Sequence, residues 1–124
     1  MANFLHDDVF DSGLSQLTSL TENLYVCSSQ PTTYAEAQTT YKLGTKATPT
    51  VSSPADRSGG GREVTVSAIT DGTVNTTGTA AYWALTDNSA SKLLATGPLS
   101  ASQSVTSGNP FTLTSFKIGI PDPA

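Results

Sequence analysis

From residue 62 onward, apolar and polar positions alternate. Val64, Val66 and Ala68 fall on one side and Glu63, Thr65 and Ser67 on the other, the period of a half-buried strand. Residues 79–86 put Ala81, Trp83 and Leu85 on one face and Ala80, Tyr82 and Ala84 on the other. With both faces largely apolar, this strand is expected inside a sheet, or between a sheet and a partner. Asp87, Asn88, Ser89 and Ala90 turn the chain into residues 92–96, which predicts a hairpin. Residues 100–106 and 111–120 predict a second hairpin across Ser107, Gly108, Asn109 and Pro110. Asp71 and Gly72 carry a hairpin-type turn signal, followed at 73–77 by a weak strand or connection. Turn signals arrive roughly every ten residues, as in all-β sandwiches and barrels. The expected fold is mainly β: a small antiparallel β-sandwich or partly open barrel of jelly-roll or Ig-like type, with one or two short N-terminal helices.

The first third follows a different period. Phe10, Leu14, Leu17 and Leu20 share one helical stripe, and Asp7, Asp8 and Asp11 suit the positive end of a helix dipole. A helix over 7–20 is expected, weakened by about 1 kcal/mol at Gly13. Residues 23–28 read as a strand closed by Gln30 and Pro31. Thr33 and Glu36 have the spacing of a capping box, which starts a short helix over 34–40 that stops by Gly44. Residues 45–61, with Pro49, Pro54 and three successive glycines, read as a long loop with a short extended piece at 48–52. The chain is expected to form a single domain, 1–124. It comprises a helix-containing N-terminal part and arm (1–44), a Pro/Gly-rich loop (45–61) and a β body (62–120). The expected core is Leu14, Leu17, Val26, Val64, Val66, Trp83, Leu85, Leu94, Phe111, Leu113, Phe116 and Ile118.

Composition narrows the function classes. Charged residues are 13% of the chain, about half the usual share, and Ser and Thr take their place. Net charge is −4. Lys42, Lys46, Arg57, Arg62, Lys92 and Lys117 are scattered singly, which gives no cationic cluster to displace counterions from a nucleic-acid backbone. The one cysteine, Cys27, lies in an apolar run, where a free thiol packs as a small hydrophobe. No stretch approaches the roughly 20 apolar residues of a membrane span. The acidic start carries no signal-peptide pattern, so synthesis and assembly in a cytoplasm are expected.

Candidate chemistry is sparse. His6, Asp7, Asp8 and Asp11 form the one cluster with metal-ligand residue types, and capping and dipole complementarity account for it. The run from Ser58 to Arg62 lacks the Gly-Lys-Ser/Thr ending of a phosphate loop and opens a strand, not a helix. Serines lack a positioned base, and the carboxylates are dispersed. The chain reads as a non-enzyme with no cofactor and no metal. Tyr82 and Trp83 point to opposite faces of one strand. Trp83 reads best as core with Tyr82 half-exposed; alternatively, one of them anchors an interface or stacks on a sugar.

The start Met1-Ala-Asn-Phe-Leu-His-Asp-Asp-Val-Phe-Asp-Ser-Gly-Leu, the segment Ala80-Tyr-Trp-Ala-Leu-Thr-Asp, the run from Lys92 to Val105 and the ending from Phe111 to Asp122 resemble a family of small proteins. These are encoded beside the head genes of tailed bacteriophages and prophages. The resemblance implies a virion structural role and carries no catalytic residues. Capsid decoration (cement) is the first expectation: a protein, often trimeric, bound over junctions of the major capsid protein on the capsid surface and assembled in the host cytoplasm. The alternatives are a tail, neck or fibre-adaptor component, and a carbohydrate-binding β-sandwich module. Interface candidates are Phe4, Leu5, Val51, Arg57 and Arg62, on or beside irregular arms expected at 1–8 and 45–61, and Tyr82. No direct nucleic-acid or membrane partner is expected.

Overall fold

A computed structural model describes residues 7–120, with side chains from Ser12 onward. Helix α1 spans Asp7–Leu20, as the stripe predicts, and buries Leu14. Nine strands follow: β1 (Asn23–Cys27), β2 (Lys42–Ala47), β3 (Ala55–Asp56), β4 (Arg62–Val66), β5 (Ile69–Val74), β6 (Gly78–Asp87), β7 (Lys92–Val105), β8 (Pro110–Leu113) and β9 (Phe116–Ile120). A π-helical turn, Glu36–Thr40, lies between β1 and β2. The fold is mainly β: a curled antiparallel six-stranded sheet, ordered β7-β6-β1-β2-β5-β8, forms a half-barrel beside a small sheet, β3-β4-β9.

Strand β1 sits between β2 and β6 and is buried on both faces. Leu24 and Val26 join the main core with Leu43, Val66, Ile69, Val74, Leu85, Val105, Phe111 and Leu113. Tyr25 and Cys27, one residue out of phase, join a second cluster with Ala37 and Ala84. The small sheet and α1 contribute to the main core through Val66 and the half-buried Leu17, Phe116 and Ile118. Strand β6 keeps the same phase as β1, with Trp83 and Leu85 toward the main core and Tyr82 and Ala84 toward the second. Ala80 breaks that alternation by joining the main core. The phase slips where the β6–β7 register shifts, between Ala80 and Tyr82.

Three sequence expectations fail. Residues 100–106 and 111–120 do not pair as a hairpin. Strand β7 stays with β6, β8 pairs with β5, and β9 leaves for the small sheet to pair with β4 from Arg62↔Ile120 to Val66↔Phe116. Asp71 and Gly72 make no turn; β5 continues through them, with a bulge against β8 between Ile69 and Gly72. Gly72 is small for another reason: a Cβ there would overlap the Phe111 ring. The long loop is also shorter than expected, because residues 45–47 belong to β2 and 55–56 to β3. Within it, Val51 bridges to Val66, and Ser52 donates its N–H to the Thr65 carbonyl at 2.9 Å.

Candidate functional site

The two edges of the curled sheet, β7 and β8, approach each other without pairing. Strand β7 first follows β6 as far as Tyr82↔Pro98, and contact resumes at Ala80↔Gln103. Residues 99–102 therefore stand opposite Ala81 alone, a bulge wide enough to carry the strand off its partner. Pro98 marks the departure, since proline has no N–H to give a ladder. On the other edge, β8 ends at Leu113 and Thr114 and Ser115 carry the chain across to β9.

A groove of about 370 Å³ opens between these two departures. Its floor is Trp83 and Phe116, whose ring centroids lie 4.5 Å apart at a tilt of 33°. Trp83 sits directly against the backbone of its cross-strand partner Gly97, where a Cβ would come within 2.9 Å of Cζ2 and 3.1 Å of Cε2. Thr96 fixes the same strand by donating its hydroxyl to the Trp83 carbonyl at 2.8 Å. The walls mix hydroxyls and one amide, from Ser100, Ser102, Gln103, Thr112, Thr114 and Ser115, with the apolar Pro98, Leu99, Ala101 and Leu113, and no ionisable side chain is among the lining residues. Gln103 spans the groove, its Nε2 donating to the Thr112 carbonyl at 3.0 Å. The lining offers apolar packing surface and neutral hydrogen-bonding groups.

A second feature is the β3–β4 hairpin. Gly59, Gly60 and Gly61 all take positive φ (89°, 105° and 91°), so the triglycine run is a defined reversal that only glycine makes at low cost. Arg57 Nη1 donates to the Gly60 carbonyl at 3.0 Å, and Arg62 Nη1 pairs with Asp56 Oδ1 at 2.6 Å. Both predicted interface arginines are thus held within the hairpin. Beside it, Lys117 pairs with Glu63 at 3.2 Å.

The remaining predicted residues disperse. Val51 is half-buried against the main core, and Tyr82 is half-buried against the second cluster, on the face opposite the groove. Phe4 and Leu5 lie outside the described residues. Of the expected core, Leu14, Val26, Val64, Val66, Leu85, Phe111 and Leu113 are buried, while Leu17, Trp83, Phe116 and Ile118 are half-buried on the core's margin. Leu94 is the extra residue of a second bulge in β7 and is only half-buried. The groove combines Trp83 with residues that sequence reading did not join to it. The one available signal was Pro98 within a strand-like run.

Burial pushes the Cys27 thiol up to about 11. Ser89 donates its backbone N–H to Glu22 Oε1 at 2.7 Å, which lowers that carboxyl's pKa. Among the described residues no group of three His, Cys, Asp or Glu side chains is placed to hold a metal, and no helix is long and apolar enough to cross a membrane. Comparison with protein-family models, curated proteins and solved structures finds no match to the chain.

Proposed function

We propose that the chain is a non-enzymatic structural protein of a bacteriophage virion, a capsid decoration (cement) protein. It binds over junctions of the major capsid protein on the capsid surface, as a homo-oligomer with trimer favoured, and stabilises the head. The sequence resemblance supports the virion class. The observation that carries the decoration reading is the stapled β3–β4 hairpin standing on a half-barrel body. Ala55, Asp56, Ser58 and Gly59 are exposed, yet the reversal is fixed by its arginines and glycines. A pre-formed arm loses little conformational entropy when it lies along a neighbour. Repetition over a symmetric shell then multiplies a modest contact.

The test is copy number and head stability in the phage that encodes the chain. Gel densitometry of purified virions is expected to show hundreds of copies. Virions lacking the protein should package DNA yet burst at lower temperature than the parent. A handful to a few dozen copies, with heads equally heat-stable, would move the assignment to the tail, neck or fibre adaptor.

A further inference from the structure

We propose that the groove between β7 and β8 is a binding site for a neutral saccharide. The reading goes beyond the virion role and rests only on what lines the groove. Its volume of about 370 Å³ falls at the lower end of small-molecule sites, room for roughly one or two pyranose rings. Its floor is aromatic, and its walls carry hydroxyls and an amide beside Pro98, Leu99, Ala101 and Leu113.

A pyranose has the matching asymmetry: a face of C–H groups that packs on an aromatic surface, and an edge of hydroxyls that both donate and accept. Ser and Thr hydroxyls likewise donate and accept, and the Gln103 amide does both. The indole N–H of Trp83 is a pure donor, and it has no acceptor among the described residues. A sugar hydroxyl supplies one. An ionic ligand would find no counter-charge among the lining side chains, and a purely apolar one would use none of the hydroxyls and amide.

An extended peptide strand is the competing occupant, because β7 and β8 are both sheet edges. Two features disfavour it. The Thr112 carbonyl, which such a strand would need, already accepts from Gln103, and Pro98 offers the strand no N–H.

Trp83 is the chain's single tryptophan, so its emission reports on the groove directly. Purified full-length protein would be titrated with neutral methyl pyranosides and neutral disaccharides, after a screen on an array of neutral glycans. A saturable emission change in the millimolar range, insensitive to salt, is expected. Ser102→Ala and Thr114→Ala, both at exposed positions, should each weaken binding about threefold to tenfold, the effect of one neutral hydrogen bond. Ala101→Phe, also exposed, fills the groove and should abolish binding while leaving the thermal midpoint within a few degrees. No saturable response across the panel overturns the proposal, as does unchanged affinity in Ala101→Phe. Tighter binding of a Ser/Thr-rich extended peptide than of any saccharide would reassign the groove to strand addition. None of these outcomes depends on the virion experiment.

Discussion

Phe111 owes its place to two missing side chains. On Gly44, a Cβ would stand 3.0 Å from Phe111 Cδ1 and 2.8 Å from the Thr73 carbonyl; on Gly72 it would overlap the ring. The ring lies across β2 and β5 and is 2% exposed. Phe111→Ala should cost about 3–5 kcal/mol through lost transfer energy and a residual cavity. Gly72→Ala should cost at least about 1–3 kcal/mol, because the ring must leave its rotamer or the strands must part. Urea unfolding checks both, with the midpoint falling and the slope unchanged for a purely native-state effect. The apolar pattern placed Phe111 in the core correctly. It could not say why Gly72 is glycine, since an Asp-Gly pair looks alike whether it makes a tight turn or clears space for a ring 39 residues away.

At the level of elements, local signals served best where the partner was also local, although the β3–β4 hairpin was read as loop. The capping residue is one example. Thr33 Oγ1 accepts from the Glu36 N–H at 3.2 Å as the spacing predicts, although Glu36 reaches back one residue further, to the N–H and hydroxyl of Thr32 at 2.8 and 2.7 Å. The turn it opens is π-helical, so the helix expected over 34–40 winds more loosely. Those Thr32 bonds hold the Glu36 carboxyl below its usual pKa. A depressed folded pKa contributes stability that is present above the unfolded value, about 4.3, and lost as pH falls through the folded one. Glu36→Gln should therefore be less stable than the parent near neutral pH, with the gap closing as pH drops below that range. Urea midpoints measured from pH 7 to pH 3 read this directly, and a gap that widens in acid would refute it. The groove was not legible by the same route. Trp83 belongs to β6, Phe116 to β9 and the polar lining to β7 and its bulge, β8 and a crossover. Alternation along any one strand carries no information about which edges meet.

At the scale of the whole molecule, distant pairings dominate the topology. Asn23 pairs with Thr86, Ile69 with Leu113 and Arg62 with Ile120, whereas β3–β4 and β6–β7 close locally. A mainly β fold was readable from turn spacing and strand alternation, but the strand order was not, because it depends on which remote segments bury each other's faces. Such non-local folds assemble in roughly milliseconds to seconds. Stopped-flow refolding followed by Trp83 emission should fall in that range; a microsecond phase carrying the full amplitude would contradict it. The pairing of β9 with β4 also bears on synthesis. As the nascent chain leaves the ribosome, β4 emerges with Val64 and Val66 and can meet β3 at once, but its other neighbour is not available until Ile120 has cleared the exit tunnel. Until then one ladder of β4 stands open, and a chain halted before Phe116 would carry a bare strand edge, the kind of surface on which crowded nascent chains cross-pair.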